Sequence, residues 1–120
     1  MNKAATPEPM PIPNSSPAIA DLVIQDLERL SNTKLRREAY AHVIPDLLAR
    51  KAFGIAKYGT PLQAKNGRNA GNDLYQELLD AAQYAKQLWL EQEGVPNYAI
   101  HSVYTKILEL LSFWSVFQKP

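Results

Sequence analysis

Cysteine is absent from the 120-residue chain, which excludes disulfides, thiol catalysis and zinc sites with cysteine ligands. Its two histidines, His42 and His101, have no metal-type partner four residues away, so we expect surface or packing roles for both. The five glycines do not form a phosphate-binding loop of the Walker type, and serine-nucleophile motifs are absent. The chain therefore lacks the commonest signatures of thiol, serine and P-loop enzymes.

Long apolar runs are also missing. No segment approaches the length of a membrane span, and the first 17 residues lack the apolar core of a signal peptide. With 13 basic and 12 acidic residues the net charge is only +1, which gives no electrostatic reason to bind nucleic acid or membranes. We therefore expect a cytoplasmic protein without membrane or nucleic-acid partners. A helical DNA-binding regulator is disfavoured because no basic recognition helix is present.

Proline is concentrated near the start of the chain, at Pro7, Pro9, Pro11 and Pro13. This alternation forbids helix and favours an extended chain. We predict a disordered tail over residues 1–16, with a peptide ligand for another protein as the alternative, and a single domain over residues 17–120.

Helical spacing of apolar residues dominates the rest of the chain, and no segment shows sustained period-two alternation. The sequence therefore predicts an all-α fold. The first expected helix has its N-cap at Ser16 and stops at Asn32, and the second has its N-cap at Thr33 and runs to Tyr58 with a kink or break at Pro45. The third is expected over Asn72–Glu93, and the fourth over Tyr98–Phe117 after a cap at Asn97. Gly59 is expected to end the second helix in a left-handed conformation.

The third predicted helix carries an acidic stripe. At about 100° per residue, Asp73, Glu77, Asp80 and Tyr84 share one face that borders the apolar side of the helix. No basic residue follows Glu77 or Asp80 at the fourth position, and like charges at this spacing repel by about 0.2–0.5 kcal/mol. A divalent cation would relieve that repulsion. Spacing alone leaves a solubilising face as the alternative.

A second stripe follows Pro45, where Asp46, Arg50, Phe53 and Lys57 share one helix face. The simplest interpretation is an Asp46–Arg50 surface ion pair with Phe53 in the core. The functional interpretation is that Asp46 adds a fourth carboxylate if this helix packs antiparallel to the third. Basic residues of this helix and the following loop would then contact phosphate oxygens: Arg50, Lys57, Lys65 and Arg68.

Residues 46–87 contain the motifs D-x-x-x-R, KYGTPLQ, NGRN and D-x-x-x-E-x-x-D-x-x-x-Y. With these motifs the segment resembles small phage-type members of the MazG-like, all-α nucleoside triphosphate pyrophosphohydrolases. These motifs lie at Asp46/Arg50, 57–63, 66–69 and Asp73/Glu77/Asp80/Tyr84. The resemblance implies a four-helix MazG-like bundle that forms homo-oligomers and uses magnesium to hydrolyse a nucleoside triphosphate to its monophosphate and pyrophosphate. In a phage, this reaction would control the nucleotide pool.

The resemblance implies catalytic roles for Glu77 and Asp80, and a Mg²⁺ site at Asp46, Asp73, Glu77 and Asp80. The family pairs an E-x-x-E motif on one helix with E-x-x-D on the next, and only the second is found here. Gln76 and Asn69 stand where acids are expected in similar sequences. The sequence thus leaves two hypotheses open: an active pyrophosphohydrolase, or a non-catalytic module that binds a nucleotide or a protein.

The last predicted helix carries apolar side chains on more than one side, and one small core cannot bury all of them. Large exposed apolar patches usually mark interaction sites. We therefore expect this helix to form a subunit interface in a homo-oligomer, either a dimer or a tetramer.

Overall fold

The computed structural model describes residues 9–91 and 96–118. Within those ranges the regular structure consists of four α-helices and a short 3₁₀ helix. They are α1 (Ile19–Leu30), α2 (Lys34–Tyr58), α3 (Ala70–Glu91), α4 (Asn97–Ser115) and the 3₁₀ helix Val116–Gln118. The predicted all-α class is confirmed, whereas the MazG-like bundle stays a prediction. None of the described helices is long and apolar enough to cross a membrane.

The described chain divides into two compact units. Residues 9–68 form the first unit, with α1 and α2, and the described residues from Asn69 onward form the second, with α3 and α4. In the first unit a three-residue turn reverses the chain, and Lys51 near the end of α2 pairs with Asp21 near the start of α1. Each unit is built around one antiparallel helix pair.

Both ends of α2 lie at the caps that the sequence predicts. The Thr33 side chain accepts a hydrogen bond from the Arg36 amide at 3.1 Å, which satisfies a donor of the first turn. Gly59 ends the helix with a φ of 77°, and its N–H donates to the Ile55 carbonyl at 2.8 Å. Both predicted caps are confirmed.

The predicted break at Pro45 is not found, because α2 continues through this residue, and a kink there stays a prediction. Proline removes one helical donor, the one that would bind the carbonyl of Ala41. Pro45 and Ala41 are both exposed, so water can satisfy that carbonyl. The stripe of residues 46–57 therefore lies on the same helix as the residues that precede the proline.

In the second unit, side-chain contacts join α3 and α4 at both ends of the helix pair, and Asn69 caps the start of α3. Asn69 caps α3, since its side-chain oxygen accepts a hydrogen bond from the Asn72 amide at 2.9 Å. At the far end of α3, the ring of Trp89 lies edge-on to that of His101, with 5.3 Å between centroids. The indole N–H of Trp114 donates to the Gly71 carbonyl at 3.3 Å. The predicted end of α3 at Glu93 lies outside the described residues.

The buried core is small. Among the described residues, the buried apolar side chains are those of Ala18, Ala85 and Ile100, and no large side chain falls below 2% exposure. Large apolar side chains on all four helices remain exposed, for example Leu35 at 78% and Phe113 at 67%. The helices as described thus leave much apolar surface in contact with water.

Residues 9–18, here called the N-terminal strap, run along residues 59–68, here called the basic loop. The Ile12 amide donates to the Asn66 carbonyl at 2.8 Å, and an isolated antiparallel bridge joins Ala18 and Gln63. Residues 9–16 of the predicted disordered tail are therefore attached to the loop, while residues 1–8 lie outside the described residues. Proline fixes φ in a range that also suits β pairing, and the residues between the prolines supply the donors.

The strap also explains why α1 begins later than predicted. The carbonyl of Ser16 accepts a hydrogen bond from the Gln63 side chain at 2.7 Å, which holds Ser16 in the strap. Ala18 becomes the N-cap residue, without a side-chain cap, and the helix begins at Ile19. The tertiary contact overrides the local capping preference of Ser16-Pro17.

Candidate functional site

The acidic stripe lies on α3 as the spacing predicts. Glu77 and Asp80 are exposed, Asp73 is half-buried in the first turn, and Tyr84 is 68% exposed. The neighbouring face carries Ala85, which is buried, and three half-buried residues: Leu78, Ala81 and Leu88. The carboxylates therefore border the side that packs within the second unit, with Glu77 and Asp80 accessible to solvent.

The basic stripe on α2 is also exposed. The Arg50 guanidinium lies 4.8 Å from the centroid of the Phe53 ring, and the Lys57 ammonium lies 5.1 Å from that of Tyr58. Each cation rests on an aromatic face, an interaction worth about 0.5–1 kcal/mol at exposed sites. Phe53 is 55% exposed, so the prediction that it packs in a core is wrong for the described chain.

The basic loop has a defined backbone conformation. Lys65 and Gly67 have positive φ values of 54° and 84°, and the Asn66 side chain accepts a hydrogen bond from the Arg68 amide at 3.1 Å. Lys65 is exposed, and the Arg68 guanidinium donates to the Pro9 carbonyl at 3.0 Å. These contacts place Lys65 and Arg68, the two predicted phosphate-binding residues of the loop, on the segment that the strap holds.

The predicted metal ligands divide between the two units, with Asp46 on α2 and the other three, Asp73, Glu77 and Asp80, on α3. Across residues 9–91 and 96–118, no group of three or more histidine, aspartate or glutamate side chains is placed to hold a metal ion. Glu77 and Asp80 lie one turn apart on the same face of α3. Carboxylate oxygens are the donors that Mg²⁺ prefers, and this ion keeps several waters. The pair therefore fits part of a magnesium shell.

A cavity of about 300 Å³ lies between α1 and α2. Two cationic residues, Arg50 and Lys51, contribute to its wall. The Lys51 ammonium lies 2.9 and 3.1 Å from the two carboxylate oxygens of Asp21. The other lining residues are Ile19, Ala20, Val23, Leu47, Gly54 and Leu62. Sequence spacing did not indicate this Asp21–Lys51 pair, because the two residues lie 30 positions apart on different helices.

An aromatic cluster lies where α3 meets α4. The Lys86 ammonium lies 4.5 Å from the Trp89 centroid and 5.4 Å from that of Tyr104. His101 packs against the same indole ring, in keeping with the packing role expected for a histidine without ligand partners. The cluster joins the two helices, and its α3 residues, Lys86 and Trp89, follow the acidic stripe along the same helix.

Comparisons of the chain with family models, with curated proteins and with solved structures found no match. The resemblance of residues 46–87 to the MazG-like enzymes therefore stays a prediction.

Proposed function

We propose that the protein is a magnesium-dependent pyrophosphohydrolase that cleaves a nucleoside or deoxynucleoside triphosphate to the monophosphate and pyrophosphate. The observation that carries the proposal is the exposed pair Glu77 and Asp80, one turn apart on α3, within a segment that resembles the family motif. We place this reaction in the cytoplasm, in a phage-infected host if the chain is phage-encoded, where it would control the nucleotide pool.

In this proposal Glu77 and Asp80 hold Mg²⁺, with Asp73 or Asp46 as a further ligand or as the base that orients the attacking water. Bound magnesium would neutralise negative charge on the phosphate oxygens. The carboxylates would keep the attacking water in place and accept its proton. Their exposure suits an ion that retains part of its water shell.

The phosphate chain would be bound by basic residues of α2 and of the basic loop: Arg50, Lys57, Lys65 and Arg68. The guanidinium of Arg50 is planar and offers paired donors, which match the oxygens of a phosphate. Its position over Phe53 orients the group while leaving Arg50 exposed. These four residues would contact the phosphates and not the base, so any base preference must come from other residues.

Pyrophosphate release tests the proposal. The protein is incubated with each of the common nucleoside triphosphates and Mg²⁺, and Glu77→Gln is compared with Glu109→Gln, which alters an exposed glutamate on α4. We expect release by the wild type and by Glu109→Gln, and a loss of about a hundredfold or more in Glu77→Gln, since one metal ligand is lost. If no nucleotide yields pyrophosphate, the catalytic proposal is wrong.

The second candidate is a non-catalytic module that binds a nucleotide or a protein. Two observations favour it: the E-x-x-E half of the motif is missing, and the described residues hold no cluster of three ligands. This candidate predicts magnesium-dependent nucleotide binding by calorimetry without pyrophosphate release. If nucleotide binding is also absent, protein contacts alone remain as its function.

We also propose that the chain forms a homo-oligomer, a dimer or a tetramer. An exposed apolar stripe on α4 and the 3₁₀ helix supports this. It consists of Val103, Leu110, Phe113 and Phe117, each more than half exposed. These residues lie beside Ile100, which is buried within the second unit. A stripe of this kind is typical of surfaces that bind another chain.

A further inference from the structure

Gln63 connects the basic loop to the N-terminal strap through its side-chain amide. Its nitrogen donates to the carbonyls of Asn14 and Ser16, both at 2.7 Å. Its oxygen accepts from the Asn14 amide and from the Thr60 hydroxyl, both at 3.2 Å. An amide side chain has two donors and one acceptor oxygen with two lone pairs, so these contacts use its full capacity. Gln63 is only 8% exposed, which makes each contact costly to lose.

Asn14 makes the reciprocal connection from the strap. Its side-chain nitrogen donates to the carbonyls of Ala64 and Lys65, at 3.0 and 3.2 Å. Its side-chain oxygen accepts from the Ser16 amide at 2.8 Å. Each of the two amide side chains thus binds the backbone of the segment that carries the other. We call this pair the amide clamp.

The strap contacts both cationic residues of the loop, Lys65 through the amide clamp and Arg68 through Pro9. Asn14 holds the carbonyl of Lys65, a residue with the unusual φ of 54°. A non-glycine residue keeps such a backbone conformation only where its surroundings support it. At the end of the strap, the Pro9 carbonyl accepts from the Arg68 guanidinium at 3.0 Å and orients its plane. Without the strap, the loop would lose contacts at both cationic residues.

We propose that Gln63 and Asn14 are positioning residues that hold the basic loop, and with it Lys65 and Arg68, ready to bind a chain of phosphates. The identity of this ligand rests on the proposed function; the clamp itself does not. A loop already in its binding conformation avoids the ordering cost that a free loop incurs on binding. The strap binds Lys65 through its backbone carbonyl, and Lys65 is exposed, so the strap leaves the Lys65 ammonium accessible.

The test uses the full chain and inorganic tripolyphosphate as the probe. Gln63→Glu keeps the size of the side chain but places an oxygen against the carbonyls of Asn14 and Ser16. Asn14→Ala changes an exposed residue and removes the donor to the loop, with less risk to folding. Gln25→Ala, at an exposed position of α1, is the matched control. Hydrogen exchange at the Ile12 and Ile19 amides reports on the strap, because both donate to the loop.

We expect faster exchange at both amides in Gln63→Glu and Asn14→Ala, and unchanged exchange in Gln25→Ala. If the freed loop adopts the binding conformation a tenth of the time, tripolyphosphate affinity falls about tenfold in both clamp variants. Where the wild type releases pyrophosphate from a nucleotide, KM should rise in these variants while kcat stays constant, a division that a general loss of folding would not produce.

Unchanged exchange in both clamp variants would overturn the clamp. Faster exchange with unchanged or tighter tripolyphosphate binding would overturn the positioning role, and tighter binding would identify the strap as inhibitory. No tripolyphosphate binding by the wild type would overturn both this inference and the phosphate contacts of the proposed function. Tripolyphosphate binding that depends on the clamp, without pyrophosphate release from any nucleotide, would support this inference and overturn only the catalytic proposal.

Discussion

The indole N–H of Trp114 donates a hydrogen bond to the backbone carbonyl of Gly71, 3.3 Å away, and ties the end of α4 to the first turn of α3. Trp114→Phe removes this bond and part of the ring. Trp89→Phe is the matched control, since no hydrogen bond of its indole is found in the described parts of the chain and its ring packs at the other end of the same helix pair.

We expect Trp114→Phe to lower the free energy of unfolding by about 1 kcal/mol more than Trp89→Phe does, the usual contribution of one hydrogen bond. Urea unfolding at one fixed protein concentration measures the difference. Equal losses in the two variants would show that the Trp114–Gly71 bond contributes nothing beyond ring packing.

Substituting Gly67 and Gly54 by alanine gives a second matched comparison, because the two glycines differ in backbone conformation and surroundings. Gly67 has a φ of 84°, and a Cβ added there would lie 3.0 Å from Cδ1 of Ile12 in the strap. Gly54 lies inside α2, and a Cβ added there would have nothing within 4 Å. We expect Gly67→Ala to destabilise the protein by about 1–2 kcal/mol and Gly54→Ala to stabilise it by about 0.5–1 kcal/mol.

Thermal unfolding of both variants measures the two changes in stability. Hydrogen exchange at the Ile12 amide should become faster only in Gly67→Ala. A stabilising effect of Gly67→Ala would contradict the packing of the strap on this glycine.

Asn69 tests whether a departure from the family pattern has a structural reason. The resemblance leads one to expect an acid at this position, and Asn69 instead caps α3 through its side-chain oxygen, 2.9 Å from the Asn72 nitrogen. Asn69→Ala should cost about 1 kcal/mol of stability, whereas Asn69→Asp should cost little, because aspartate caps equally well and suits the helix dipole. A loss in Asn69→Asp as large as in Asn69→Ala would show that the amide nitrogen also matters.

The sequence predicted the elements whose signals are local. Thr33 and Gly59 were identified as caps because each acts on its own helix end. The acidic stripe followed from helical spacing, which fixes the relative angles of Asp73, Glu77 and Asp80. Local signals therefore sufficed for the existence of the four helices and for the face of α3 on which Asp73, Glu77 and Asp80 lie. The predicted cap at Asn97 is wrong, because Asn97 is the first residue of α4 and Pro96 is its N-cap.

Predictions that depended on distant residues differed from the structure. The proline-rich segment predicted a disordered tail over residues 1–16, and its described part, residues 9–16, contacts the basic loop instead. Nothing local in the sequence shows that Asn14 contacts a loop about 50 positions later. Ser16 was expected to cap α1, and its carbonyl is held by Gln63 instead. Pro45 was expected to kink or break a helix, and the break is not found, because an exposed helix tolerates one missing hydrogen bond where water can replace it.

The apolar stripe on α4 and the 3₁₀ helix gives the last prediction. Phe113 is 67% exposed, and its ring centroid lies 5.5 Å from that of Phe117, so the two rings present one apolar surface. If a second copy of the chain covers this surface, Phe113→Glu places a charge in a dry interface and should weaken association by about a hundredfold or more. Ser112→Glu is the control, because it adds the same charge about 100° away around the same helix.

Light scattering behind a sizing column, over a range of protein concentrations, measures the mass of each variant against the 13.5 kDa of one chain. We expect the wild type and Ser112→Glu to have the mass of two or four chains, and Phe113→Glu to shift towards one chain on dilution. A wild-type mass of one chain at every concentration would mean that the stripe is covered in another way, and the proposed homo-oligomer would be wrong. An equal shift in both variants would mean that added charge on α4 weakens association in general, and that the stripe is not the specific contact.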